Sequence, residues 1–409
     1  MKRKIITFMV LIAICLFGGY EYLKYNAGTT ASSRIQGESI TVNGSVVRPC
    51  GGSVSAAILP GFINKSVTTA FAADCEKLVI DASGGMIHVD SRHPFIVNIY
   101  RNGEAIGASD SDVQLYERGL YDVEIFVNIP YSDGISGEFT YTFMIDVPHP
   151  QVTFSNLNPV QGELVTGYVD GLLHGDVITV DSPVFSLSGV YYTDDAGAIF
   201  YIPITYYQAT GNYNINVNIN GELLSETLLS VGKFDFSVIS FDVDEDTTAA
   251  TVNSRRANAE YRREIHPLYY TKDENIYWDG VMVKPVEETR ISSEFGQIRY
   301  INGSKTPERH SGIDYAAPTG TPVYAPAAGK VEFAGYLMLS GNTVVIDHGL
   351  GLKSYFFHLD DVACAAGEIV STGDLIGHVG STGYATGPHL HFQVSIENHP
   401  VNPQLLYRQ

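Results

Sequence analysis

A chain of 409 residues is too long for one ordinary hydrophobic core and predicts two to four domains. With 44% hydrophobic and 17% charged residues it reads as folded protein rather than a disordered chain, and 40 glycines and 26 tyrosines among many Val, Ile and Thr favour strands. A net charge of -20 argues against nucleic acid or an anionic lipid surface as the main partner, so recognition must come from shape and local chemistry.

At the N-terminus, Lys2, Arg3 and Lys4 precede an uncharged run from Ile5 to Tyr20 that ends at Glu21. That is the pattern of a secretory signal or signal anchor. A spanning helix wants about twenty apolar residues, and Tyr22 and Leu23 would extend this one. Residues 1–33 are therefore expected to be a signal anchor or transmembrane segment. The positive residues would stay in the cytoplasm, with the rest of the chain outside. Cleavage after Ala27 or Ala31 would make the protein secreted instead. Ile14 stands where a lipoprotein signal wants a small residue, which argues against lipidation of Cys15. Cys50 and Cys75 either form a disulfide outside the cell or are two buried thiols. Cys364 has no evident partner and receives no catalytic role.

Residues 34–148 read as a β-sandwich domain. Tyr121, Val123, Ile125, Val127 and Ile129 alternate with less apolar neighbours, as do Phe139, Tyr141, Phe143, Ile145 and Val147 after the Ser132-Asp133-Gly134 turn. Residues 149–237 read as a second such domain, with Tyr213, Ile215, Val217 and Ile219 alternating before the hairpin signal Asn220-Gly221. A Gly-x-Tyr phrase at Gly119 recurs at Gly211, which suits two immunoglobulin-like sandwiches. Residues 238–284 are expected to be a linker, acidic from Asp242 to Thr248 and then helical from 251 to 264. Arg255, Arg256, Arg262 and Arg263 form its solvated face. The fold class is thus mainly β, ending in an antiparallel β-sheet domain over residues 285–409.

The chemistry lies in that last domain. His310 and Asp314 are separated by three residues, Gly312 among them, and Ala-Ala-Pro-Thr-Gly-Thr-Pro follows, so they are expected on a loop entering a strand and not on a helix. His389-Leu390-His391 opens an alternating strand with Leu390, Phe392, Val394 and Ile396 on one face. Period two puts His389 and His391 together on the other. Zinc catalysis wants three N or O ligands and a fourth position for water, whose pKa the ion lowers from about 15.7 to about 7. His358, after Tyr355-Phe356-Phe357, is a candidate for moving protons.

Five phrases in order carry a resemblance. They are Ser-Glu-Phe-Gly-Gln-Ile-Arg (293–299), His-Ser-Gly-Ile-Asp-Tyr-Ala-Ala-Pro-Thr-Gly-Thr-Pro-Val (310–323), Val-Val-Ile-Asp-His-Gly (344–349), Tyr-Phe-Phe-His-Leu (355–359) and Gly-Ser-Thr-Gly-Tyr-Ala-Thr-Gly-Pro-His-Leu-His-Phe (380–392). Residues 285–404 resemble the lysostaphin/LytM family of zinc peptidoglycan endopeptidases. The resemblance implies that His310, Asp314 and His391 bind one Zn2+ per chain. It also implies that His358 and His389 polarise water, stabilise the oxyanion and shuttle the proton, on the peptide part of bacterial cell-wall peptidoglycan. His348 falls where the family keeps a structural histidine. A weaker upstream likeness rests on Gln-Gly-Glu at 161–163 and on the expected architecture.

The expectation is an extracytoplasmic zinc endopeptidase held at the membrane by its N-terminal segment. The alternative is a catalytically silent wall-binding or assembly protein using the same domain as a scaffold. No code for a cell-wall, division or sporulation partner is readable. A third reading has the segment from Trp278 to Pro307 cover the groove until it is removed.

Overall fold

The computed structural model describes residues 2–60, 63–73, 78–132, 134–182, 189–193, 197–273, 275–278, 280–287 and 290–407. The chain divides into two compact units.

The first unit comprises Met1–Pro150 and two short later segments. It opens with a helix, Lys2–Gly37. Its main sheet runs Ile63–Ala72, Gly51–Leu59, Ile135–Val147, Gly119–Ser132, Phe95–Arg101 and Glu104–Ser109, with Val79–Asp81 parallel to Ile135–Val147. The alternation expected of the two long strands holds. Tyr121 to Ile129 and Phe139 to Val147 bury every second side chain, with Val123 opposite Phe143. Ala27 and Ala31 of the helix enter the same core, where their small side chains allow close packing. Beside the seven-stranded sheet lie a three-stranded and a two-stranded one. The long hairpin offers pairing edges on both sides, so further strands extend its sheet to seven.

Among the described residues no helix is long and apolar enough to cross a membrane. Side chains of the first helix are described from residue 13 onward, and there Glu21 and Lys24 interrupt the apolar run. Cys50 is disulfide-bonded, and Cys15 and Cys364 are free thiols. Cys75 and Asp133 lie outside the described residues.

The second unit holds most of the rest. Its first part pairs Gln151–Phe154, Leu164–Asp170, Gly197–Pro203 and Val190–Thr193 in one sheet, and Ile178–Asp181, Gly211–Ile219 and Glu222–Val231 in another. Asn220 and Gly221 have φ of 53° and 85° and join Ile219 to Glu222 directly, the left-handed pair a two-residue hairpin turn requires. Leu164, Tyr201 and Tyr206 pack into one core with Trp278, Met282 and Phe295 of the later chain, and Trp278 Nε1 donates to Tyr201 Oη at 3.0 Å. The second β segment is therefore built onto the C-terminal part rather than hung from it as a separate spacer.

The linker is also structured. Val238–Phe241 pairs in parallel with Ile298–Ile301. The helix expected from 251 to 264 is Arg255–Glu264, and a separate short helix, Glu245–Ala250, precedes it. Ser254 accepts from Ala257 N–H and so starts the second one late. Beyond it stands a ten-stranded sheet whose path is Arg290–Ser293, Ile313–Ala316, His389–Ile396, Leu352–Val362, Gly341–Asp347, Gly329–Leu337 and Ile369–Val370. Val344, Ile346, Phe356, Leu390, Phe392 and Val394 are among its fully buried side chains and make one face a core. On the other face Val345, Tyr355 and Phe357 pack a smaller cluster with Ile265 and Tyr269.

Candidate active site

Strand register assembles the site. Asp314 lies directly opposite His391, Ala316 opposite His389, and Phe357 opposite His391 from the other side. Opposed residues share a sheet face, so Asp314, His391, His389 and Phe357 all look away from the Leu390 and Phe392 core. His310 reaches in from the turn before Ile313–Ala316. Gly312 lets the two strands approach: a Cβ there would stand 2.4 Å from Phe392 O and 3.0 Å from His391 Nε2.

Three atoms converge. His310 Nε2 is 3.0 Å from His391 Nδ1 and 3.0 Å from Asp314 Oδ1, and His391 Nδ1 is 2.9 Å from Asp314 Oδ1. All three residues are buried. His310 Nδ1 lies 2.9 Å from the Glu294 carbonyl, which can only accept, so the proton is on Nδ1 and Nε2 carries a lone pair. Burial first, and the proximity of His391 and Arg299, push the His310 pKa down to about 4 against the opposing pull of Asp314. For Asp314, burial favours the acid, but the neighbouring His310 and His391 outweigh it and hold the carboxyl well below its ordinary value. An imidazole lone pair therefore faces a carboxylate in a desolvated place, which a shared cation would resolve. Two nitrogens and one oxygen so close together could hold one metal ion.

His358 arrives by a route the strand period does not give. In a regular strand Phe357 and His358 would face opposite sides. Instead His358 has a φ of 64°, rare for a residue with a Cβ, and its N–H bonds to Ser340 O at 2.9 Å while the neighbouring strand shifts register. Both side chains then line the groove. Phe357 stacks on His391 at 5.2 Å and 6°, which fixes that ring. Nδ1 of His358 lies 2.8 Å from Thr382 O, and Nδ1 of His389 lies 2.8 Å from Gly387 O. In each ring Nε2 is then the nitrogen available for proton transfer. The two rings are 4.9 Å apart, and His389 Nε2 is 3.9 Å from Asp314 Oδ1. Burial, with His389 and His391 nearby, pushes the His358 pKa down to about 3 and keeps it neutral.

The five residues singled out in the sequence thus meet in one groove of about 760 Å³. Its walls include Ser293 and Arg299, and Phe241, Val243 and Tyr261 of the linker. Between 278 and 307 lie the strands Arg290–Ser293 and Ile298–Ile301. The side-chain sequence carried no signal for the carbonyls of Glu294, Thr382 and Gly387, because any residue supplies one. His348 is structural: its ring bonds Ala328 O and Ser354 Oγ at 2.8 Å each, away from the groove. His378 pairs with Asp361 at 2.8 Å and also lies elsewhere.

A His-Asp-His cluster that could hold a metal ion lies beside two further histidines in the groove. Residues 308–403 match peptidase family M23, and this part of the chain is a domain of that family. The chain is 47% identical to the DD-carboxypeptidase/endopeptidase Mpg of Neisseria meningitidis over 124 residues, 30% of this chain and 28% of the relative. It is 38% identical to the peptidoglycan DD-endopeptidase ShyA of Vibrio cholerae over 135 residues, 33% of this chain and 31% of the relative. The similarity thus spans less than a third of either relative's length. A crystal structure of an M23 peptidase from Pseudomonas aeruginosa aligns at 27% identity and a TM-score of 0.44, covering 61% of this chain and 94% of that one.

Proposed function

We propose that residues 285–409 are a zinc-dependent endopeptidase hydrolysing peptide cross-links of bacterial cell-wall peptidoglycan. The observation that carries this reading is the convergence of His310 Nε2, Asp314 Oδ1 and His391 Nδ1 next to two histidines whose protonation is directed by backbone carbonyls. The printed activities of the relatives support the substrate class.

His310, Asp314 and His391 would hold the ion. When bound, zinc polarises a carbonyl and makes a water acidic enough to be a nucleophile near neutral pH. The chain's own residues do the rest. His358, neutral through burial, offers Nε2 to take a proton from the attacking water. His389, across a 4.9 Å ring separation, is placed to hydrogen-bond the developing oxyanion or return a proton to the leaving amine. Such positioned transfer contributes roughly 100- to 10,000-fold. Phe357 holds His391 in plane, and the groove takes an extended peptide along the exposed sheet face.

We further propose that the domain works outside the cytoplasm, tethered or exported by the N-terminal run, and that residues 149–237 are an immunoglobulin-like module. The strand order of that module, four strands beside three, supports the second point. Cell fractionation of the full chain tests the first, and recovery in the cytosol would sink it. The central test is metal analysis with release of soluble fragments from purified peptidoglycan. Wild type should carry zinc and release peptides, and His391→Ala should do neither. Zinc without fragment release in the wild type would favour a binding scaffold instead.

A further inference from the structure

The non-ligating oxygen of Asp314 has a partner of its own. Arg299 Nη2 donates to Asp314 Oδ2 at 2.7 Å, while Oδ1 is the oxygen that meets His310 and His391. Both partners are largely buried, with side chains 18% and 11% exposed, so the pair is shielded from solvent. Arg299 is itself steadied. Its Nε donates to Gln297 Oε1 at 3.3 Å, Gln297 Nε2 donates to Ser237 Oγ at 3.1 Å, and Ser237 Oγ donates to Glu294 Oε2 at 2.9 Å. The main chain of Arg299 lies in the strand Ile298–Ile301, opposite Ile239 of the linker strand. Glu294, at the far end of this chain, also supplies the carbonyl that orients His310.

From this arrangement we infer that Arg299 is a positioning residue for the metal centre: it pins Asp314 Oδ2, so that Oδ1 alone is presented to the ion, and it is braced from the linker through Gln297 and Ser237. The inference rests on the zinc reading proposed above. A carboxylate with both oxygens unrestrained can turn or bind through either one. A charge-assisted bond to one oxygen removes that freedom and offsets part of the cost of burying the anion. Partners that orient metal ligands typically change affinity by roughly 10- to 100-fold when removed. The bracing also gives the linker strand a role in the site, although it lies outside the residues matched to the family, 308–403.

The test uses the full chain and zinc alone, with affinity read by competition against a chromophoric chelator. Arg299→Ala should weaken zinc binding by about 10- to 100-fold. Arg299→Lys, which keeps the charge but cannot also reach Gln297, should fall between it and wild type. Ser237→Ala, cutting the brace, should weaken zinc by a smaller factor in the same direction. Unfolding of the metal-free protein, followed by Trp278 fluorescence, should stay at the wild-type midpoint for Arg299→Lys. A general structural defect would move that midpoint too. Zinc affinity unchanged in Arg299→Ala, whether with normal turnover or with a raised KM that marks a substrate contact, would overturn the inference. If Arg299→Ala does not fold, Arg299→Lys at wild-type affinity overturns it equally. Wild-type protein that binds no zinc would instead sink the underlying function reading, so the two failures are separable.

Discussion

Replacing His348 by Asn should remove a specific part of the protein's pH dependence. The ring is fully buried and bonded to Ala328 O and Ser354 Oγ, and burial pushes its pKa from 6.5 down to about 4, against the weaker upward pull of Ala328 and Asp347. Above pH 6.5 neither the folded nor the unfolded chain protonates this ring. As pH falls from 6.5 towards 4 the unfolded chain takes up a proton that the folded chain refuses, so stability is lost on acidification. Below about 4 both states are protonated and the loss is complete. At 1.36 kcal/mol per tenfold, the whole window is worth about 3 kcal/mol, of which about 2.5 falls between pH 7.5 and 4.5. Asn cannot titrate, and whatever packing it loses is independent of pH. The stability gap between wild type and His348→Asn should therefore narrow by about 2.5 kcal/mol over that range. Urea unfolding at a series of pH values measures it. Trp278, the only tryptophan, lies buried in the second unit and reports on it. A chelator must be present, because metal binding brings its own pH dependence. A gap that stays constant across the series would refute the argument that burial keeps His348 neutral.

Two further outcomes follow from the site. His358→Ala should retain zinc and lose roughly 100- to 10,000-fold in turnover on peptidoglycan; normal turnover would remove His358 from the mechanism. Gly312→Ala should weaken zinc binding and lower the unfolding midpoint together, since its Cβ would meet backbone at 2.4 Å. Wild-type values for both would mean that the strands separate there without cost.

The residues proposed to hold the metal stood out because each sits in a short phrase whose local conformation is nearly forced. Glycine and proline around His310 and Asp314 rule out a helix, and alternation along His389-Leu390-His391 puts both rings on one face whatever the rest of the fold does. His358 stood out as a candidate by its place after Tyr355-Phe356-Phe357, but strand period did not bring it to the site. Period two would have turned it away from Phe357, and only the left-handed φ, stabilised by Ser340 across the sheet, brings both side chains into the groove. The helix in the linker starts four residues later than expected because Ser254 caps it from within the segment read as helical. The first β segment alternated as expected, yet alternation along a strand does not tell which strands share a sheet.

What the sequence by itself determined is therefore local: which residues can ligate, which strand faces they occupy, and which stretches are strands at all. Those follow from backbone sterics and side-chain period, which act over a few residues. What only the tertiary structure decided is long-range. It set Asp314 against His391 across 77 positions, directed the protons of His310 and His358 with distant carbonyls, and braced Arg299 against Asp314 from the linker. Register between strands and the aim of a backbone carbonyl depend on how the whole sheet closes, and no single segment carries that information.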